Sequence, residues 1–144
     1  MAVSGGPYLS SAIFCEKILR EADGVLSAIR IFDRWIVRGN TKEMPATTIP
    51  LALMVVFRAG IMRGKSQIKL SPMSPSGQQL PSIEFPVLFE GDDDRGIGIV
   101  ATIGFLASEE GLYWFDLLHG EELITRIPLR VLYQQIGIAG PDKP

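Results

Sequence analysis

Across residues 111–133, apolar side chains recur at every second position on both sides of a His119-Gly120 pair. A period of two places alternate residues on opposite faces of an extended chain, and a glycine turn between two such runs closes a β-hairpin. On the first arm Tyr113, Phe115 and Leu117 share a face. On the second arm Leu123, Thr125, Ile127, Leu129 and Val131 do the same. A hairpin with one apolar face requires a second layer to bury it, which points to a β-structure of at least two sheets.

The same period recurs upstream. Segments 11–19 and 25–37 flank a turn containing Asp23-Gly24, whose glycine supplies the positive φ of a hairpin turn. Pairing Leu19 with Val25 sets Cys15 opposite Ile29 and Ile13 opposite Ile31, with Glu16 diagonal to Arg30 and within reach of an ion pair. Segment 48–58 alternates Ile49, Leu51, Leu53, Val55 and Phe57, and Pro50 favours strand over helix there. A weaker strand over 66–73 carries Ile68 and Leu70. Then follow Ile83, Phe85, Val87 and Phe89, and after a turn Ile97, Ile99, Ala101, Ile103 and Phe105, whose reverse face includes Gly98 and Gly104. Eight strands without an alternating helical pattern predict an all-β fold, a two-sheet antiparallel β-sandwich of immunoglobulin-like or C2-like type. Pro50, Pro86 and Pro128 each remove a ladder donor, so they are expected at edges or bulges.

The 144 residues suffice for one domain, placed at 8–136, with 1–7 and 137–144 as flexible termini. Fourteen basic and 16 acidic side chains leave a net charge of −2, which disfavours nucleic acid as the main partner. The longest apolar run, 51–57, is far short of the ~20 residues of a membrane helix, and no secretory leader is evident, so a cytoplasmic protein without a membrane partner is expected. A single cysteine, Cys15, excludes an internal disulfide and a thiolate zinc site. No cofactor is implied.

Residues 11–34, together with 111–115 and 127–131, resemble a family of small uncharacterised bacterial proteins, a domain of unknown function, over residues 8–133. The resemblance implies a stand-alone bacterial β-sandwich with no assigned activity. His119 departs from the Asp or Asn that such a turn favours before glycine.

No residue is assigned a catalytic role. His119, the only histidine, reads as a turn residue tolerant of the left-handed region, because no Ser or Cys stands at a recognisable spacing from it. Cys15 reads as a small buried hydrophobe. Glu90, Asp92, Asp93 and Asp94 form an acidic cluster read as a solvated turn, and no metal ligand is assigned. Gly96 and Gly98 open a strand, so they do not make a phosphate loop. Asp33 falls on the face of Ile29, Ile31 and Trp35, where a carboxylate must be paired or released by a bulge. Arg30, Arg34, Arg126 and Arg130 alternate with core positions and are candidates for an anionic ligand. Trp114, with Leu112 and Leu118, falls on the face that Tyr113, Phe115 and Leu117 leave outward, and Ile124, Leu132 and Trp35 could adjoin it.

An outward apolar face of that kind predicts a non-enzymatic interaction module, binding a protein partner or forming a homodimer through a sheet face. The alternative is a small-ligand or metal-binding protein, enzymatic or not, acting where loops 38–43, 92–94 and 108–110 would converge at one end of the sandwich.

Overall fold

The computed structural model describes residues 5–137. Nine strands occur among them: β1 (Tyr8–Arg20), β2 (Leu26–Phe32), β3 (Arg34–Gly39), β4 (Thr47–Arg58), β5 (Gly64–Met73), β6 (Ile83–Phe89), β7 (Gly96–Ala107), β8 (Gly111–His119) and β9 (Glu122–Gln135). The described residues contain no helix. Most of the expected flexible ends, 1–4 and 138–144 of them, lies outside the described residues. The strands form a four-stranded sheet, β2-β1-β4-β7, and a five-stranded sheet, β3-β9-β8-β5-β6. All pairings are antiparallel except β3 with β9. The sandwich predicted from the period of two is therefore the fold.

The core lies between the sheets and is aromatic at its centre. Phe14 meets Phe115 edge-on at 4.9 Å, and Phe105 meets both Tyr113 at 5.1 Å and Phe115 at 5.0 Å. Such offset geometries place the positive ring edge on a negative ring face. Ile49, Leu51, Leu53, Val55 and Phe57 on β4 are wholly buried, as the alternation required.

The segment 25–37 is two strands rather than one. The face of β2 that carries Ile29 and Ile31 is exposed, 39% and 62%, whereas Trp35 beyond the break packs on the core. The chain bends at Asp33, leaving its side chain 75% exposed and 3.7 Å from Arg34 Nε. The carbonyl of Asp33 accepts the Arg130 N–H at 2.9 Å, and the parallel ladder of β3 on β9 begins there. Phe32 and Trp35, 5.5 Å apart, fill the corner where the chain changes sheets.

The first hairpin forms two residues out of the expected register: Leu19 faces Ser27, and Cys15 faces Ile31. Its turn is longer than the Asp-Gly pair suggests, because the Glu21 N–H donates to Val25 O and the Gly24 N–H to Glu21 O. A shift of two preserves facing. The expected ion pair forms, with Arg30 Nε 3.3 Å from Glu16 Oε2.

The far half of this hairpin also leaves the sheet. Pairing of β1 with β4 stops at Cys15 opposite Ala52. Beyond it a cleft is lined by Glu16, Lys17 and Ile18 together with Pro50, Ala52, Val100 and Thr102. A Cβ on Gly98 would meet Leu26 Cδ1 at 3.1 Å, although β2 and β7 are opposite edges of the sheet. The hairpin end thus curls over the outer face, and Cys15 and Ala52 are buried outside the main core.

A sheet edge and strand ends account for the three prolines singled out in the sequence and for a fourth, Pro72, which lies on β5 past its last β6 pair at Leu70. Pro86 is on the edge strand β6. Pro50 and Pro128 lie in interior strands, but Pro50 falls past the last β1 pair and Pro128 before the first β3 pair at Arg130. Each missing N–H sits where a neighbouring strand is locally absent.

On β9 a bulge between the pairs Leu117–Thr125 and Leu118–Leu123 inserts an extra residue. It turns Leu123 outward, 50% exposed, in place of the predicted inward position, and lets Ile124 pack on the core.

Candidate functional site

The outer face of the five-stranded sheet collects most of the residues singled out above. Strand alternation on β8 sends Tyr113, Phe115 and Leu117 inward and leaves Leu112, Trp114, Asp116 and Leu118 outward, all four half-buried. Trp114 lies between Met73 on β5 and Pro128 on β9. The Arg126 guanidinium carbon stands 5.0 Å from the Trp114 ring centroid, and Arg126 Nε donates to Asp116 Oδ1 at 2.7 Å. The three side chains form one unit in which a cation is held over the indole.

Arg130 is opposite Leu112 on one side and Arg34 on the other. Lys69 adjoins Leu118, Lys65 follows the same face of β5, and Arg38 bonds Gln134 at 3.1 Å at the far margin. Against these six cations stand Glu84, beside Lys69, Asp116, bonded to Arg126, and Asp33, 3.7 Å from Arg34 Nε. A chain of net charge −2 therefore carries a positive sheet face. Arg34 and Arg130 are like charges on neighbouring strands, and the exposed Asp33 offsets only the first of them, so the pair favours a further anionic counterpart.

Three of the four predicted arginines, Arg34, Arg126 and Arg130, come together here. Arg30 does not, because the bend at Asp33 separates β2 from β3 and leaves Arg30 on the other sheet with Glu16. Trp35 is also absent from the Trp114 face: it faces inward beside Val131 and packs on the core.

The three loops imagined as one ligand site are divided. Asp93 Oδ1 binds Arg63 at 2.8 Å, and the Asp93 carbonyl accepts the Gly60 N–H, at the end where β7 begins. Residues 108–110 follow the other end of β7, whose 12 residues span roughly 40 Å. There Glu110 accepts the Tyr133 N–H, and the Tyr133 hydroxyl bonds Thr41, so only 38–43 and 108–110 converge. Among the described residues no three His, Cys, Asp or Glu side chains are grouped to hold a metal.

One pair escaped the sequence reading. Ser66 Oγ lies 2.7 Å from His119 Nε2, half-buried at the end of β5 and β8. The signal is the register, which sets Ile68 opposite His119 and so brings Ser66 within reach. His119 has no carboxylate partner among the described residues, and its ring instead meets Phe89 edge-on at 6.3 Å. The contact joins β5 to the end of β8, across two neighbouring strands. Cys15 is wholly buried, its thiol donating weakly to Lys17 O, and burial pushes its pKa up. Burial likewise raises that of Tyr113, whose hydroxyl donates to Glu109 O at 2.7 Å.

Comparison with known proteins adds a family and a distant likeness. The model of a family of unknown function, DUF6941, matches residues 10–132. None of the curated proteins matches the chain. Among solved structures, an immunoglobulin-like protein from Pseudomonas aeruginosa is similar over 90% of this chain and 99% of its own, with 11% identity and a TM-score of 0.46.

Proposed function

As the chain belongs to the DUF6941 family, whose function is unknown, we propose its role from its surface: it is a non-enzymatic binding module that engages an acidic protein partner through the outer face of the five-stranded sheet. The observation that carries this reading is the charge of that face. Arg34, Arg38, Arg126, Arg130, Lys65 and Lys69 surround a half-buried Trp114, while the acidic loops lie at the two ends of the sandwich. Trp and Arg are the side chains most enriched in the energetic centres of interfaces. A positive rim steers an anionic partner and sets its orientation, and the indole with Leu112 and Leu118 supplies apolar area at the centre.

The test uses an oligoglutamate peptide as the probe, followed by Trp fluorescence and backbone amide shifts. Binding that weakens with salt and shifts the amides of β8 and β9 is expected, and Arg130→Glu should abolish it. Saturating probe that leaves those amides unmoved, or equal binding by Arg130→Glu, would overturn the assignment.

A further inference from the structure

We propose that the free edge of β7 is a homodimerisation edge, to which a second copy of the chain adds its own β7 in antiparallel register centred on Ala101. This surface is separate from the outer face of the five-stranded sheet and does not depend on the partner assigned to it.

β7 pairs with β4 over its full 12 residues and, among the described residues, has no strand hydrogen-bonded on its other side. Among the described residues no hydrogen bond from outside β4 reaches the β7 backbone. A row of unpaired N–H and C=O groups is a template for another strand, and folded proteins blunt such rows with charge, proline, bulges or shortness. The other three edges carry those devices. β6 has seven residues with Pro86 in the middle, and β3 has six with Arg34 and Arg38. β2 carries the charged Arg30 at a φ of +57° and is drawn over the outer face with its hairpin. β7 has none of them: between Gly96 and Ala107 there is no charged residue and no proline.

The sequence of β7 also identifies the occupant. About Ala101 it is close to a palindrome: Val100 matches Thr102, Ile99 matches Ile103, Gly98 matches Gly104, and Ile97 matches Phe105. A two-fold interface requires that residue i meet j and j meet i, so a strand that reads alike in both directions pairs with itself in one register. Centred on Ala101, that register sets isoleucine beside isoleucine on the inner face and glycine beside glycine on the outer face. Val100, 43% exposed, then lies beside Thr102 of the second copy, a β-branched pair of the kind that stabilises a sheet. A shift by one residue would set inner side chains against outer ones and lose every match. The product is a continuous eight-stranded sheet with both β7 edges satisfied.

Light scattering on a sizing column should give a dimer for the wild type at high micromolar concentration, and a monomer for Val100→Lys, whose charge would fall at the centre of the new pairing. Leu106→Lys, at the periphery of the same edge, should raise the dissociation constant more than tenfold. Trp114→Glu and Ile31→Lys, on the other sheet and the other edge, should leave the dimer intact. A double Val100→Cys, Thr102→Cys variant tests the register, since paired positions bring these side chains close enough to cross-link on oxidation. Quantitative dimer cross-linking supports the proposal even if the lysine variants fail to fold. A monomeric wild type, a dimer dispersed by Trp114→Glu, or a dimer whose paired cysteines stay reduced would each overturn it.

Discussion

Arg126 holds its guanidinium over Trp114 while its Nε is anchored by Asp116, one strand away. The register makes this possible. Asp116 faces Arg126 and Trp114 faces Pro128, so Arg126 stands diagonal to Trp114, within reach of the indole for a side chain of its length. An outward tryptophan that looked uncovered in the sequence is thus partly roofed by its own sheet. Removing the roof with Arg126→Ala should increase acrylamide quenching of Trp114, because Trp35 is packed on the core and contributes an unchanged background. The stability lost should be about 1 kcal/mol or less, since both partners are partly hydrated. Quenching identical to the wild type would show that the stack does not persist in solution.

Phe115 is the point at which the two sheets meet. It touches Phe14 and Phe105 from the opposite sheet and has no exposed surface. Phe115→Ala leaves a cavity that neighbours on three strands cannot fill, and urea denaturation should show a loss of about 3–5 kcal/mol. Phe85, on the edge strand and half-buried, has room to relax, so Phe85→Ala should cost clearly less. Equal losses would mean that the edge strand is packed as tightly as the centre.

The period of two was enough to give the sandwich and the facing of its central strands, because burial between two sheets imposes alternation directly on sequence; it failed in the first hairpin, where Phe14 enters the core and Ile29 and Ile31 of the expected apolar face are 39% and 62% exposed, and at Leu123. It could not show that 25–37 changes sheets, since Ile31, Asp33 and Trp35 keep the period straight through the corner. The residue at the corner is Asp33, the one carboxylate in that alternation, although its polarity does not say where the chain goes next. The first hairpin's register was hidden for a different reason: a turn closed from Glu21 to Val25 and a tighter one at Asp23-Gly24 preserve the same facing. In the candidate site Trp114, Leu112 and Leu118 were legible from β8 alone. The union of Arg34 with Arg130 was not, because it depends on a parallel pairing between segments almost a hundred positions apart. For the same reason Arg30 was grouped with arginines from which the corner separates it.

Gly111 and Gly24 both have positive φ, but for different structural reasons. At Gly24, φ is +88° and a Cβ would meet nothing within 4 Å, so alanine there incurs only backbone strain. At Gly111, φ is +131° and a Cβ would lie 2.7 Å from Pro75 Cβ and 2.8 Å from its Cγ, atoms of a rigid ring. Gly24→Ala should cost about 1 kcal/mol. Gly111→Ala should cost at least twice that and lower the melting temperature correspondingly. If the two variants melted together, the loop carrying Pro75 would have to be displaced at little cost.

Stability should fall on the alkaline side, and two groups account for it. Burial lifts the Cys15 thiol above its ordinary 9.0 and the Tyr113 hydroxyl above its ordinary 10.0, because each anion would lose hydration in the folded chain. A raised folded pKa means that the folded state retains a proton the unfolded state releases. The corresponding stabilisation is fully present below 9.0 for Cys15 and below 10.0 for Tyr113, and it is lost as pH rises through each folded-state pKa. Melting temperature measured upward from neutral pH should therefore be flat until about 9.0 and decline beyond it. Cys15→Ala should remove the first part of the decline. Tyr113→Phe should remove the second, at the expense of about 1 kcal/mol at neutral pH for the lost bond to Glu109 O. In the native protein the thiol should also resist a thiol reagent until the chain is unfolded, since Cys15 has no exposed surface beneath the curled hairpin. Rapid thiol reaction under native conditions would show that the hairpin end lifts off the sheet, and an alkaline decline unchanged in both variants would place its origin elsewhere.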